Sequence, residues 1–152
     1  MDFALPGELL AYLDELDAFI EAEIIALAGR FDLRELAYDR TFAGEIVQHL
    51  QDEGINLVQF GQGFLSMAAP TAELERLAVS RLLWHGCHPV LRWNASIVAV
   101  RHDPAGNIKP DKERSSERID GIVALCNALG RAMLRDESAG RSVYQARGPM
   151  LL

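Results

Sequence analysis

Residues 115–132 read SSERIDGIVALCNALGRA. Apolar side chains recur at the three- and four-residue spacing of one helical face, and small residues form an adjoining strip. The apolar positions are Ile119, Ile122, Cys126, Leu129 and Met133, and the small ones are Gly121, Ala124 and Ala128. Because this strip has almost no side-chain bulk, such a helix can lie very close to a sheet. Asp120 falls in its first turn, where the helix dipole and unpaired amides favour a negative charge. Taken alone, this acid predicts only a stabilised helix start.

Composition predicts one globular domain. The chain has 152 residues, of which 49% are hydrophobic. It contains no apolar run of the roughly 18 to 20 residues that a membrane helix needs, and its N-terminus lacks a signal-peptide pattern. We therefore expect a cytosolic protein. Cys87 and Cys126 stand in no metal-ligand pattern, so they predict neither a disulfide framework nor a zinc site.

The formal charge of −7 is unevenly distributed along the chain. Residues 1–30 hold seven acids and one base, a net charge of −6, whereas the other 122 residues hold 14 bases and 15 acids. This asymmetry indicates two segments with different roles. Basic residues do recur from Arg92 to Arg118, but acids are interspersed among them. The strip is therefore a weak signal of nucleic-acid binding.

The acidic segment predicts a long amphipathic helix. It opens after Pro6, whose missing N–H does no harm at a helix start, and its apolar stripe is opposed by acids. The stripe comprises Leu9, Leu10, Leu13, Leu16, Phe19, Ile20, Ile24 and Leu27. Residues 1–24 resemble the N-terminal helix of acyl-CoA dehydrogenases, which in that family carries neither the flavin site nor the catalytic carboxylate. Dehydrogenase activity therefore does not follow from this resemblance.

A strand–helix–strand unit follows this helix. Residues 33–39 alternate apolar and polar side chains, residues 46–50 carry the apolar face of a helix that stops at Gly54, and residues 55–60 form a second strand pattern. This order over about 27 residues predicts a parallel crossover, and the chemistry of such sheets gathers at the carboxyl ends of the strands. Asp39 stands at such an end.

The middle of the chain contains patterns that have both a structural and a functional interpretation. Gly61-Gln62-Gly63-Phe64 is similar to a phosphate loop but lacks the third glycine, so we interpret it as a turn. A helix is predicted to start near Pro70. His85 and His88 have no third ligand nearby, which favours a structural role over a metal site. Residues 102–107 predict a hairpin turn.

The order of motifs in residues 31–152 resembles the C-terminal half of the nuclease domain in the large terminase subunit of tailed bacteriophages and prophages. The matching phrases are AYDR (37–40), QGFLSM (62–67), PTAELERL (70–77), HGCHPVLRW (85–93), DPAGNIKPDK (103–112), SERIDGIVA (116–124) and SVYQARG (142–148). They occur in the family's order.

This resemblance implies an α/β, partial ribonuclease-H-like nuclease fold, in which a mixed sheet is flanked by helices. In such a fold clustered acids bind two Mg²⁺ or Mn²⁺ ions that promote DNA cleavage. Carried over by motif, Asp39 and Asp120 correspond to the family's second and last metal-binding acids. A carboxylate at a strand end and one at a helix start can share a hard cation through oxygen. The resemblance also implies DNA and phage packaging proteins as partners, and the cytoplasm of a bacterial host as the location.

Two parts of the family's pattern are missing. The N-terminal helix stands where the family has the strand with the first metal-binding acid, and the chain contains no Gly-x-x-x-x-Gly-Lys-Ser/Thr sequence of an ATPase. We therefore expect an N-terminal amphipathic helix (1–28) and a truncated terminase nuclease-like domain (29–152) with weak or no DNA cleavage. If active, it would be a two-metal-dependent endonuclease. The alternative is a non-catalytic module that binds a partner, or a second copy of itself, through the first helix.

Overall fold

The computed structural model describes residues 5–39, 41 and 44–139, and for Glu45 and residues 135–139 it describes the backbone alone. Arg40 of the AYDR motif and the whole SVYQARG motif lie outside the described residues. The elements are α1 (Gly7–Arg30), β1 (Leu36–Tyr38), α2 (Gly44–Asp52), β2 (Leu57–Gln59), α3 (Phe64–Val79), α4 (Pro89–Ile97), β3 (Val100–His102), β4 (Ile108–Pro110) and α5 (Asp120–Ala139). The predicted α/β class is confirmed.

The chain divides into two compact units, residues 1–60 and 61–152. The sequence had predicted a boundary near residue 28, at the end of the amphipathic helix. That boundary, between the amphipathic helix (1–28) and the terminase-like part (29–152), stays a prediction.

Helix α1 is the long amphipathic helix predicted at the N-terminus. Pro6 precedes it, and the Pro6 carbonyl accepts the first bonds of the helix, from the N–H groups of Leu9 and Leu10. None of its residues is buried. Its second half contacts α2, where Nδ1 of His49 lies 3.3 Å from Oε2 of Glu21. The apolar stripe of α1 is thus left largely exposed.

The parallel crossover predicted from the sequence is confirmed. Strands β1 and β2 pair in parallel, with Leu36 opposite Leu57, and α2 connects them. Leu50 of α2 is buried. Gly54 ends this helix with φ +81°, a left-handed conformation that a side chain disfavours.

Helix α3 starts six residues earlier than the sequence predicted. It begins at Phe64 after Gly63, so Pro70 lies inside the helix and not at its entry. The predicted start at Pro70 relied on the preference of proline for the first turn of a helix. Inside a helix, proline costs one backbone hydrogen bond, and here the burial of Met67 and Pro70 in the core offsets that cost. Thr71 reinforces this turn by donating its hydroxyl to the Met67 carbonyl at 2.6 Å.

The predicted hairpin is confirmed as β3 and β4, which pair antiparallel. Asp103 organises its turn: the carboxylate accepts hydrogen bonds from the N–H groups of Ala105 and Asn107 and from the Asn107 side-chain amide, all within 2.9 Å. The hydrogen bond from the Asn107 amide is the main reason that the pKa of Asp103 is lowered. Gly106 completes the turn with φ +84°.

Helix α5 buries the face that its apolar spacing predicted. Ile119, Ile122 and Cys126 are buried, and the helix packs mainly against α3 and α4. The expectation that its small residues approach a sheet was wrong. Gly121 meets the side chain of Asn94 on α4, because the glycine leaves room for a polar contact between two helices.

Candidate functional site

The two acids singled out by the sequence lie at the two element ends that were expected. Asp39 directly follows β1, and its Oδ1 accepts hydrogen bonds from the N–H and the hydroxyl of Thr41, at 3.1 and 2.8 Å. These contacts form an Asx-type turn that fixes the carboxylate beside the strand end. Asp120 is the first residue of α5.

Asp120 is held in an ion pair. Its Oδ1 accepts a hydrogen bond from Nζ of Lys112 at 2.5 Å, and both side chains remain 60% exposed. This hydrogen bond is the largest cause of the lowered pKa of Asp120, against a smaller opposing effect of partial burial. The positive charges of Lys112 and Arg118 lower the pKa further. The carboxylate is therefore ionised at neutral pH.

A buried amide on α4 anchors the start of α5. Asn94 is only 3% exposed, and its Oδ1 accepts a hydrogen bond from the Gly121 N–H at 2.9 Å. Its Nδ2 donates to the Arg118 carbonyl at 3.0 Å. The amide acts as a helix cap supplied by another element, so it fixes the backbone on both sides of Asp120.

A buried carboxylate anchors the other side of the ion pair. Asp111 directly follows β4 and is only 4% exposed, and it accepts a hydrogen bond from Nε of Arg101 at 2.8 Å and one from the Glu113 N–H at 3.1 Å. Burial works to raise the pKa of Asp111, but the bonds from Arg101 and from backbone amides together lower it. The backbone next to Lys112 is thereby fixed.

Residues 111–120, the 111–120 loop, run from the end of β4 to the first residue of α5. Ser115 ties it to the rest of its unit: the Ser115 N–H and hydroxyl both donate to the Asp111 carbonyl, and the same hydroxyl accepts a bond from the Ala99 N–H. Lys112 and Asp120 thus stand on a loop held at both ends and in the middle.

The prediction that Asp39 and Asp120 share one site stays a prediction. Asp39 belongs to the first compact unit and Asp120 to the second. Among the side chains that the structure describes, which leave out Glu45 and residues 135–139, no group of three or more aspartate, glutamate, histidine or cysteine residues is arranged to hold a metal ion. Two carboxylates do suit Mg²⁺, which keeps several waters and takes further ligands from phosphates. Each of the two acids, taken by itself, thus has the oxygen chemistry that such a cation prefers.

The weak basic strip between Arg92 and Arg118 is engaged in internal contacts. Arg101 and Arg114 pair with Asp111, Arg101 also reaches Glu113, and Lys112 pairs with Asp120. Lys109 donates to the Gln62 carbonyl at 3.0 Å, and its Nζ lies 5.5 Å from the Phe64 ring centre. These contacts lower the positive charge available to a nucleic acid on this strip.

Two other motifs of the sequence, residues 61–63 and the pair His85 and His88, lie in turns that precede helices. Residues 61–63 form the turn that enters α3, as interpreted from the sequence. His85 and His88 flank a turn in which Gly86 and Cys87 both have positive φ, and His88 directly precedes α4.

The second unit contains a cavity. It has a volume of about 730 Å³ and is mainly apolar. Its floor includes Ile122, Leu125 and Cys126, and its walls come from α3, α4 and the β3–β4 hairpin. Neither Asp120 nor Lys112 lines it, so the cavity and the 111–120 loop are separate features.

Sequence reasoning missed Asn94 and Asp111. In the sequence, Asp111 stands out only as part of the DPAGNIKPDK motif and as one of the acids among the bases from Arg92 to Arg118, and Asn94 carries no local pattern. The signal present in the sequence was Gly121, whose missing side chain in a helix implies a close neighbour.

Comparisons with known proteins show what this chain is similar to. A family model described as "Terminase large subunit, endonuclease domain" matches residues 14–136. The "Terminase, large subunit" of Enterobacteria phage HK97 is 38% identical over 129 residues, which are 84% of this chain and 25% of that protein. "Protein YmfN" of Escherichia coli strain K12 is 37% identical over 90 residues, 58% of this chain and 20% of that protein.

A solved structure shows the same fold. The crystal structure of the HK97 bacteriophage large terminase superposes with a TM-score of 0.69 at 38% identity, over 76% of this chain and 24% of that one. The present chain thus spans about a quarter of these HK97 proteins. None of the helices in the described part is long and apolar enough to cross a membrane.

Proposed function

The chain belongs to the family of the terminase large subunit endonuclease domain, and from that premise we propose that it is a nuclease-like module in which Asp39 and Asp120 bind a divalent cation. The match over residues 14–136, which includes both acids, carries this proposal. We further propose that the module cleaves DNA weakly or not at all by itself.

The chemistry of the two acids supports a Mg²⁺ or Mn²⁺ ligand role. Both are carboxylates, the oxygen ligands that hard cations prefer, and each follows or begins a regular element that limits its motion. When bound, a single cation would supply positive charge to a phosphate oxygen. Asn94 and Asp111 would then keep the Asp120 side of the site in one geometry before a ligand arrives.

The proposal of low cleavage rests on the number of acids that the family's motifs match here, which is two. A two-metal nuclease site holds its ions about 3.5 to 4 Å apart, which requires acids that bridge or complete both shells. The described residues offer no group of three such side chains. One cation held by two acids can bind a phosphate, but it does not activate water and stabilise the leaving group from two sides.

The family also supports proposals on partners and location. We propose that DNA and phage packaging proteins are the partners and that the module acts in the cytoplasm of a bacterial host. Lys112 and Arg114 of the 111–120 loop are paired internally, so these two cations would contribute little to DNA contact.

A metal titration tests this function. Isothermal calorimetry with Mg²⁺ and Mn²⁺ should show binding that is lost in Asp39→Asn and in Asp120→Asn. Glu117→Gln, which removes an exposed acid three positions before Asp120, should bind as the parent protein does. Plasmid nicking should stay near background in all of them. Absence of binding at millimolar metal, or binding that survives both acid variants, would refute the proposal.

A second function is favoured by the exposed stripe of α1. Leu9, Leu13, Leu16, Phe19 and Ile20 are each between 38% and 61% exposed, and a helix of this length with an uncovered apolar face normally docks on something. We propose that it serves a partner-binding or oligomerising role.

Sedimentation at low micromolar concentration tests this second role. The parent protein should sediment as an oligomer and Leu13→Asp as a monomer. Ala11→Asp, on the opposite side of the same helix, is the control and should behave as the parent does. A monomeric parent protein would contradict self-association.

A further inference from the structure

We propose that helix α1 of one copy of this chain docks in the apolar cavity of residues 61–152 of a second copy. The inference rests on the second function proposed above, the oligomerising role of α1, and names the surface that receives this helix. The partner is therefore another molecule of the same protein, held by apolar contacts and by opposite charge.

The cavity has the size and the lining of a docking groove. Its volume of about 730 Å³ lies within the range of ligand pockets, and its mainly apolar lining includes Leu74, Leu91 and Val98 above the floor residues Ile122 and Leu125. Apolar side chains of a partner that enter such a groove leave water, which favours association.

The surface beside the cavity is also apolar and exposed. Trp84, which lies in the chain between the lining residues Leu83 and His85, is 97% exposed, and Trp93 on α4 is 46% exposed. Three further apolar residues in the stretch 79–93 are more than half exposed, namely Val79, Leu82 and Val90. Exposed apolar patches mark interaction sites, and tryptophan is enriched among the residues that dominate binding energy.

Helix α1 supplies a matching apolar surface. Leu9, Leu13, Leu16 and Ile20 follow one another at spacings of three or four residues, and each is between 38% and 41% exposed. None of the residues of α1 is buried. This spacing of apolar anchors is the one by which an amphipathic helix lies in a groove.

Charge favours α1 as the occupant. Arg81 and Arg92 line the cavity, and neither guanidinium pairs with another residue of the described part of the chain. Glu75 is the one acid among the lining residues. Helix α1 carries six acids and one base, so its carboxylates can pair with these arginines when its apolar stripe enters the groove.

Mixing two variants tests the inference by sedimentation. Leu13→Asp damages the helix and leaves the cavity intact, whereas Ala95→Glu places a charge among the cavity residues and leaves the helix intact. Each variant alone should be a monomer where the parent protein associates. Their equimolar mixture should associate at a lower concentration than either variant alone, because it combines an intact helix and an intact cavity on different molecules.

The matched control for the cavity variant is Ala128→Glu. Ala128 is exposed on α5, as Ala95 is on α4, but it does not line the cavity. This variant should associate as the parent protein does. Far-ultraviolet circular dichroism should give the same helix content for all variants, which separates loss of association from loss of folding.

A milder variant tests the charge. Arg92→Gln should weaken self-association about two- to five-fold, the range expected for one exposed ion pair. Added salt should weaken the association of the parent protein as well, because it screens exposed charges. Arg118→Gln removes an exposed arginine that does not line the cavity, and it should leave the association unchanged.

The outcomes separate this inference from the proposed function. If the parent protein is a monomer, self-association and this inference both fail. If Leu13→Asp is a monomer while Ala95→Glu associates as the parent does, the oligomerising role stands and this inference alone is overturned. A mixture that associates no better than its components also overturns it. Association restored in the mixture, together with a selective loss in Arg92→Gln, supports it.

Discussion

Asn94 and Gly121 form a matched pair whose energetic coupling can be measured. A Cβ at position 121 would lie 2.7 Å from Oδ1 of Asn94, closer than any ordinary contact, whereas the glycine leaves room for a 2.9 Å hydrogen bond from its own N–H. The perturbation is a cycle of three variants: Asn94→Ala, Gly121→Ala and the double variant.

The expected magnitudes follow from the contacts. Asn94→Ala loses the helix cap and the bond to the Arg118 carbonyl, each of which contributes about 1 kcal/mol, so the free energy of unfolding should fall by about 2 to 3 kcal/mol. Gly121→Ala gains up to about 1 kcal/mol of helix propensity but introduces overpacking that costs roughly 1 to 3 kcal/mol. A net loss is expected.

The double variant reveals the coupling. Without the Asn94 side chain the clash disappears, so Gly121→Ala should become neutral or stabilise the protein by up to about 1 kcal/mol. The coupling energy should therefore be about 2 kcal/mol.

Urea unfolding followed by tryptophan fluorescence is the assay. Trp84 and Trp93 both lie in residues 61–152, and Trp93 is the neighbour of Asn94 on α4, so the signal reports the unit that contains the pair. Ser96→Ala on the same helix removes an exposed local hydrogen bond and should change stability by less than about 0.5 kcal/mol. Additive effects in the cycle, or an Asn94→Ala loss no larger than that of Ser96→Ala, would refute the reasoning.

Two further predictions concern buried titratable groups. Because the pKa of Asp111 is lowered in the folded protein, its stabilising effect is complete above the ordinary aspartate pKa of about 3.9 and is lost as the pH falls through the lowered value. Asp111→Asn should therefore be less stable than the parent protein at pH 7 and should lose less stability than the parent as the pH falls. Urea unfolding midpoints from pH 7 to 2 measure this, and an equally steep fall in both proteins would contradict the prediction. Burial raises the pKa of the Cys126 thiol, whereas Cys87 is exposed. A thiol reagent should modify Cys87 alone in the native protein and both cysteines in urea. Cys87→Ala should abolish the reaction of the native protein, and rapid labelling of native Cys126 would contradict its burial.

Local patterns in the sequence determined most of the elements. The alternation in residues 33–39 and the strand pattern in residues 55–60, with an amphipathic helix between them, predicted the parallel β1–α2–β2 unit that the structure contains. The spacing of Ile119, Ile122 and Cys126 predicted the buried face of α5. These features are local because side-chain periodicity and turn residues act over a few positions. The motif order likewise led to Asp39 and Asp120.

Tertiary structure alone decided which partners those elements meet. Asn94 caps a helix by accepting a hydrogen bond from the Gly121 N–H, 27 positions away along the chain. Arg101 pairs with Asp111 across a hairpin, and Pro70 lies inside a helix because the core buries it. No periodic pattern in the sequence predicts such pairs. An isolated polar residue has the same sequence context whether its side chain faces water or caps a distant helix. Only the packing of α4 against α5 makes Asn94 a cap, and only the anchored 111–120 loop brings Lys112 to Asp120.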